Sequence, residues 1–219
     1  MNSSMSLAEL AVTHPAASRI FYRRGLDFCC GGKRPVGEAC RDLGLDAEAI
    51  LQEISREDSA STEDQRWDTK TIRELVSFIV DHYHAGLRTE LPELVAMAEK
   101  VERVHADKPT CPRGLRGHLE AVQSAVSDHL DKEEGILFPL ILSGRGHHAS
   151  APIRAMEFEH REHAVNLKRT RELTDNLTAP AEACTTWRAL YVRLGALESD
   201  LMQHIHLENN VLFQRALAE

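Results

Sequence analysis

The feature that most constrains the fold of this chain is a ten-residue motif that occurs twice. Residues 129–138 read HLDKEEGILF and residues 204–213 read HIHLENNVLF, and both copies place a histidine four residues before a glutamate. Residues four apart lie on the same face of an α-helix, about one turn from each other. Each copy therefore predicts a helix that presents an imidazole and a carboxylate side by side, where both could bind a metal ion.

Both histidine–glutamate pairs fall on the apolar stripe of their helix. Val122 and Val126 lead at helical spacing to the first pair, and Leu197 and Leu201 lead to the second. A polar or charged side chain in a protein core is costly unless it is paired or binds a metal. The interrupted stripes therefore favour metal ligands over ordinary surface residues.

Two further histidines interrupt apolar stripes in the same way. If four long helices run antiparallel, a rise of about 1.5 Å per residue brings these histidines and both motif pairs to one level. The six predicted ligands are His84, His129, Glu133, His160, His204 and Glu208. This set fits two metal ions with the glutamates as bridges. Imidazole and carboxylate ligands suit iron or manganese; iron is favoured, and zinc remains an alternative.

The other histidines on these helices are not predicted to bind the metal. His82, His163 and His206 lie near predicted ligands in sequence but on other helix faces, so we expect them at the surface or beside the ligands. His105 lies about 31 Å beyond His84 along a straight helix. It is therefore not expected to be a ligand unless the helix folds back at Pro92.

The composition favours an all-α protein, with few aromatic residues and abundant leucine, alanine and glutamate. We divide the chain into a small helical domain at 1–57, a linker at 58–68 and an antiparallel four-helix bundle at 69–219. In the small domain, short helices are expected to end at Gly25 and Gly44 and to begin after Asp46. Pro92 lies inside the first long helix and should kink or divide it.

The charge and the cysteines restrict the class of partner and the compartment. A formal net charge of -8 gives no basic surface for a nucleic acid. Five cysteines without a regular spacing argue against a disulfide-stapled secreted fold, so reduced thiols are expected. No signal peptide or membrane span is visible, and a cytoplasmic protein without a membrane partner is the expectation.

Residues 27–35, DFCCGGKRP, place two cysteines side by side before two glycines and two cations. A disulfide between Cys29 and Cys30 would strain the intervening peptide and be easily reduced. Lys33 and Arg34 are expected to favour thiolate over thiol. A buried cysteine in an ordinary glycine turn is the alternative interpretation.

Together these motifs resemble the Repair of Iron Centres family, which are di-iron, hemerythrin-like bacterial proteins with a small N-terminal cysteine domain. The resemblance rests on the six predicted ligands with DFCCGGK and KVERVHADKPTCP, and it covers nearly the whole chain. It implies a hemerythrin-like four-helix bundle holding two non-haem iron ions with oxo and carboxylate bridges. It also implies repair of iron-sulfur clusters damaged by nitrosative or oxidative stress, by donation of iron from a labile site.

The same resemblance implies the partners. These are damaged or apo iron-sulfur proteins, with nitric oxide or oxygen as small ligands, and a homodimer is left open. Cys29 and Cys30 match the vicinal cysteine pair of the family and are expected to act as redox or iron-relay thiols. The alternative function is a di-iron protein that reduces nitric oxide or binds or senses a diatomic gas, so enzymatic activity is also left open.

Overall fold

The structure is a computed structural model that describes residues 1–58 and 66–218, and it confirms the all-α prediction. Within those residues the chain forms no β-strand; one isolated bridge pairs Ser6 with Pro35. The α-helices are α1 (Leu7–Thr13), α2 (Pro15–Arg24), α3 (Val36–Asp42), α4 (Ala47–Asp58), α5 (Ile72–Phe78), α6 (Ala85–Val104), α7 (Leu115–Lys132), α8 (Phe138–Leu142), α9 (Ser150–Leu173), α10 (Thr185–Leu207) and α11 (Phe213–Ala218). None of the described helices is long and apolar enough to cross a membrane.

The chain divides into two compact units. The first comprises Met1–Ser77, Ile141–Ser150 and Met202–Glu219, and the second comprises Phe78–Leu140 and Ala151–Leu201. Most of the predicted linker, at 59–65, lies outside the described residues. The predicted domain limits at 57 and 69 stay a prediction.

Helices α1 to α4 pack in the first unit around an apolar core that includes Leu10, Ile20 and Phe21. Gly25 ends α2 in the left-handed conformation, with φ of 70°, as predicted from glycine at that position. Asp46 caps α4 by accepting from the backbone N–H of Glu48 at 2.9 Å, also as predicted. The predicted short helices of this region are therefore confirmed.

Helix α1 was not predicted from the sequence. Ser6 and Glu9 form a capping box at its start: the Ser6 side chain accepts from the Glu9 N–H, and the Glu9 carboxylate accepts from the Ser6 N–H. This pattern was present in the sequence as a serine three residues before a glutamate. The capping box is a local pattern that predicts a short helix such as α1, even where no long apolar periodicity is present.

The second unit contains α6, α7 and α9 and most of α10, and α6 packs along α7. Helix α6 runs without interruption through Pro92, so the predicted division of the helix at that residue is wrong, and the alternative of a kink stays a prediction. The departure from α-helical geometry occurs earlier, in a π-helical segment at Ile79–His84.

Two further π-helical segments follow long helices, at Glu133–Leu137 after α7 and at Glu208–Leu212 after α10. A π-helical turn holds one residue more than an α-helical turn, and such turns occur frequently at functional sites. Each of the three segments begins or ends at a predicted metal ligand: His84, Glu133 or Glu208. These segments were not predicted from the sequence.

Candidate metal centre

Four of the predicted ligands lie in the second unit, and all four are buried. His84 ends the first π-helical segment, His129 lies in the last turn of α7, Glu133 begins the next π-helical segment, and His160 lies in α9. Their exposed fractions are 2% or less. Four ionisable side chains at this depth require one another or a cation to offset the loss of hydration.

The distances between these side chains fit metal binding. Glu133 Oε2 lies 3.5 Å from His84 Nε2 and 3.4 Å from His129 Nε2. His129 Nε2 lies 3.1 Å from His160 Nε2. Two metal–nitrogen bonds of about 2.1 Å at a right angle would place the nitrogens about 3.0 Å apart. The two imidazoles are therefore spaced to bind one cation, with the Glu133 carboxylate beside them.

Two acidic residues fix the orientation of the histidines. His84 Nδ1 lies 2.8 Å from Glu134 Oε1, and His129 Nδ1 lies 2.9 Å from Glu159 Oε2. A carboxylate that accepts from Nδ1–H holds the tautomer in which Nε2 carries the lone pair that a metal needs. Glu134 and Glu159 are not among the residues predicted from the sequence.

Each of these carboxylates also accepts a hydrogen bond from a basic side chain. Arg88 donates to Glu134 at 3.2 Å and to Asp131 at 2.8 Å. Lys132 donates to Glu159 at 2.7 Å. Burial raises the pKa of Glu134, but hydrogen bonds from His84 and Arg88 outweigh it and lower that pKa below its usual value. Glu134 is therefore ionised at neutral pH and accepts from His84.

The remaining two predicted ligands, His204 and Glu208, lie in the first unit. Both side chains are fully buried, and His204 Nε2 lies 2.9 Å from Glu208 Oε1. His204 belongs to the last turn of α10, and Glu208 begins the π-helical segment that follows. This second copy of the motif therefore presents the same imidazole–carboxylate pair as the first.

In the first unit, the cysteine turn binds to the second copy of the motif. Asn209 Nδ2 donates to the backbone oxygen of Cys29 at 3.2 Å, and Asn210 Nδ2 donates to that of Phe28 at 3.2 Å. The His206 ring packs edge-on against the Phe28 ring, with centroids 5.4 Å apart. The turn is thus fastened to the chain immediately around Glu208.

His206 is buried, so of its two predicted places, at the surface or beside the ligands, the surface is excluded. Burial lowers the pKa of His206 to about 4, against hydrogen bonds to backbone groups of Phe28 and Ala11 that raise it. The imidazole is therefore neutral at physiological pH. Helical periodicity could not predict this, because the N-terminal helices cover a face that would otherwise be exposed.

The two adjacent cysteines are not joined by a disulfide in the structure. Their Sγ atoms are 3.8 Å apart, and Cys29 Sγ lies 3.4 Å from Asp27 Oδ1. The neighbouring Cys30, burial, and the Asp27 carboxylate all raise the pKa of Cys29 well above its usual value. The expectation that Lys33 and Arg34 favour the thiolate is therefore wrong for Cys29; Arg34 instead pairs with Asp42 at 2.6 Å.

The other histidines occupy varied environments in the second unit. His163 is buried beside a predicted ligand, with its ring centroid 5.0 Å from that of His129. His82 is exposed and stacks on Phe78. His105 follows α6, where its Nε2 lies 3.2 Å from Cys184 Sγ.

Comparison with known families divides the chain into two matched regions. The hemerythrin HHE cation-binding domain model matches residues 75–216, which include all six predicted ligands. A model described as a domain of unknown function, DUF542, matches residues 3–58, which include the cysteine turn. The first match covers well over half of the chain, and its helical bundle agrees with the predicted fold.

Individual relatives match over almost their full length. The chain is 48% identical over 214 residues to the iron-sulfur cluster repair protein YtfE of Yersinia pseudotuberculosis serotype O:1b (strain IP 31758), covering 98% of this chain and 97% of that protein. It is 47% identical, with the same coverage, to the protein of that name from Yersinia pestis (strain Pestoides F).

Proposed function

We propose that this chain, which belongs to the YtfE family of iron-sulfur cluster repair proteins, contributes to cluster repair by donating iron from a labile di-iron centre. The proposed ligands are His84, His129, Glu133, His160, His204 and Glu208. The oxo-bridged form of the centre is part of the proposal. When bound, two iron ions would supply exchangeable metal and coordination positions open to small molecules.

The observation that carries this proposal is the position of Glu133. One oxygen of this buried carboxylate faces Nε2 atoms from two different helical segments, those of His84 and His129, at 3.5 and 3.4 Å. A carboxylate between two imidazole groups is placed to bridge two cations. Glu208 holds the equivalent position in the second copy of the motif, and we assign it the second bridge.

The chemistry of the ligands supports release of iron as well as binding. Carboxylates and imidazoles must be deprotonated to bind a metal, so their affinity falls as protons compete for them. The ligand set contains no thiolate, which is the class of ligand that would hold iron most like a cluster. Transfer of iron from these carboxylates and imidazoles to the cysteine thiolates of an apo-cluster is therefore favoured by the preference of iron for its ligands.

Iron transfer can be measured directly. The iron-loaded protein is incubated anaerobically with an apo-ferredoxin, sulfide and a thiol reductant, and cluster formation is followed by visible absorbance. We expect cluster formation with the wild type and none with a Glu133→Leu, Glu208→Leu variant taken through the same loading step. Iron that stays on the loaded wild-type protein while the ferredoxin remains apo would overturn the donation proposal.

The proposed partners follow from this activity. They are iron-sulfur proteins whose clusters have been damaged by nitrosative or oxidative stress, and their exposed cysteines would receive the iron. We place the reaction in the cytoplasm, where thiols such as those of this chain stay reduced. A homodimer is also proposed, and size-exclusion chromatography with light scattering tests it.

We assign Cys29 and Cys30 a role as redox or iron-relay thiols in this reaction. Their attachment to Asn209 and Asn210, directly after Glu208, supports that role. Replacing both cysteines by serine should leave the iron content of the bundle unchanged and slow iron transfer. An unchanged rate of iron transfer would show that the cysteine turn has only a structural role.

Nitric oxide reduction is a second candidate function, and a cavity in the second unit favours it. The cavity, about 10 Å³, is lined mainly by leucine and valine and reaches His163, which packs against His129. A cavity of this volume holds about one water-sized probe, which is the scale of a diatomic molecule. If the reduced protein with an electron donor releases nitrous oxide over many turnovers, reduction is catalysed; release of at most one equivalent would exclude turnover.

A further inference from the structure

We propose that Asp27, Cys29 and Cys30 form a separate binding site for one thiophilic divalent cation in the first unit. The site goes beyond the di-iron centre and does not depend on the proposed repair function. Its donor atoms are one carboxylate oxygen and two sulfurs, and all three lie within 4.8 Å of one another. They come from four consecutive residues of one turn.

The distances match a tetrahedral site. Zinc–sulfur bonds of about 2.3 Å at the tetrahedral angle place two sulfurs about 3.8 Å apart, and a zinc–oxygen bond of about 2.0 Å places sulfur and oxygen about 3.5 Å apart. The structure has 3.8 Å between the sulfurs and 3.4 Å between Cys29 Sγ and Asp27 Oδ1. A cation can therefore enter between these atoms with little rearrangement of the turn, and the two thiols lose their protons to solvent as the metal–sulfur bonds form.

The turn around the donors is built to hold them together. The Cys30 backbone N–H donates to Asp27 Oδ1 at 3.0 Å, which fixes the carboxylate over the cysteines. A Cβ at position 31 would lie 2.9 Å from Asp27 Oδ2, so the Asp27 side chain would have to shift. A Cβ at position 32 would lie 2.5 Å from the Phe28 backbone oxygen, so the backbone of the turn requires glycine there. Gly31 thus leaves the Asp27 carboxylate its place beside the cysteines, and Gly32 permits the fold of the turn.

The burial of the three residues leaves one side of the site open. Cys29 is buried, Cys30 is partly buried and Asp27 is exposed. A tetrahedral cation with three protein ligands keeps a fourth position for water or for a ligand from another molecule. The site has the ligand count of an exchangeable metal site, and a closed structural site would need a fourth protein ligand.

The ligand type selects the metal. Among divalent cations, thiolates favour zinc, cobalt(II) and iron(II), whereas magnesium and calcium prefer oxygen ligands alone. Magnesium and calcium are therefore not expected to bind here. The di-iron ligands include no sulfur, so sulfur-specific spectroscopy separates the two sites.

The test uses the reduced full-length protein, loaded with iron, and Co²⁺ as the probe. We expect one equivalent of Co²⁺ to produce near-ultraviolet thiolate-to-cobalt charge-transfer absorption and the intense visible bands of tetrahedral cobalt. Zn²⁺ should remove both signals by competition, and a large excess of Mg²⁺ should not.

Three variants locate the signal. Cys30→Ser should abolish the charge-transfer band, and Asp27→Asn, which keeps the oxygen that accepts from Cys30 N–H, should weaken Co²⁺ binding about tenfold or more. Cys184→Ser, which changes an exposed cysteine in the other unit, should leave the signal unchanged. Bound iron and circular dichroism are measured on each variant to show that the protein is folded and the bundle loaded.

Two results would overturn the assignment. One is a wild-type protein that gives no sulfur-to-cobalt absorption although its thiols titrate as reduced. The other is a signal that persists in Cys30→Ser and disappears in Cys184→Ser, which would place the cation at Cys184 and His105. Either result would also remove the iron-relay role proposed for Cys29 and Cys30, but it would leave donation of iron from the bundle intact, because the Glu133 and Glu208 variants test that step separately.

Discussion

The two copies of the repeated motif share their ligands and differ in the residues around them. In the first copy Lys132, Glu134 and Gly135 surround Glu133 and are wholly or partly exposed. The second copy has Leu207, Asn209 and Asn210 at the matching positions, around Glu208. Glu134 orients a histidine, whereas Asn209 and Asn210 fasten the cysteine turn. The histidine and glutamate that the copies share are the proposed metal ligands. The roles of the residues beside them depend on which other segments of the protein pack against each copy.

The largest effect is expected where the copies are alike. Glu133→Leu and Glu208→Leu should each lower the iron content, and the double variant should retain almost none, because both proposed bridges are removed. Iron is measured by inductively coupled plasma mass spectrometry after purification without added metal. Glu120→Leu, an exposed change on α7, is the control and should keep wild-type iron. A double variant with full iron content would exclude the proposed ligand set.

The next effect tests the difference in burial. Leu207 is 3% exposed, and Leu207→Lys should lower the free energy of unfolding by about 3–5 kcal/mol because it buries an unpaired charge. The reverse change in the first copy, Lys132→Leu, removes a half-exposed ion pair and should cost less than about 1 kcal/mol. Urea denaturation of the two variants measures both values. Equal losses in the free energy of unfolding would contradict the inference that this position is buried only in the second copy.

A third prediction concerns the orientation of His84. Glu134→Gln should weaken iron binding about 10- to 100-fold, since a carboxylate that accepts from a ligand histidine is replaced by a neutral amide. Competition with a chelator of known affinity measures the change. Asp131→Asn is the matched control, because Asp131 shares the Arg88 partner of Glu134. An equal loss in both variants would assign the effect to Arg88 and not to the histidine.

The smallest effect is expected at the asparagines of the second copy. Asn209→Ala with Asn210→Ala removes hydrogen bonds to the backbone of the cysteine turn and should cost about 1–2 kcal/mol of stability. Hydrogen exchange should rise at residues 28–32 while iron content stays unchanged. Iron loss in this variant, with unchanged exchange in the turn, would show that these side chains serve the metal centre.

Much of the fold and of the predicted ligand set can be derived from the sequence because both depend on helical periodicity. Histidines and glutamates that interrupt an apolar stripe are visible as exceptions to it, and the structure buries all six. Within the second unit it also brings His84, His129, Glu133 and His160 together. These positions could be predicted because burial of a charged group without a partner is so unfavourable.

The residues that sequence reasoning missed lack such a signal. Glu134 and Glu159 lie at partly exposed positions, where acidic residues are ordinary. Burial of His206 depends on packing by residues more than 170 positions earlier in the chain. The raised pKa of Cys29 likewise depends on burial and on the Asp27 carboxylate, which sequence proximity to Lys33 did not reveal.

The π-helical segments have a consequence for insertions and deletions in this fold. A segment such as Glu133–Leu137 contains one residue more than a regular helical turn requires. Removing Gly135 would let the helix close with regular α-helical hydrogen bonds and would leave the turns on either side nearly in register, because the wider turn absorbs the extra residue. The residues within the turn, Glu133 first among them, would change direction relative to the other ligands. A residue with almost no side chain thus contributes to ligand placement through the length of the backbone alone.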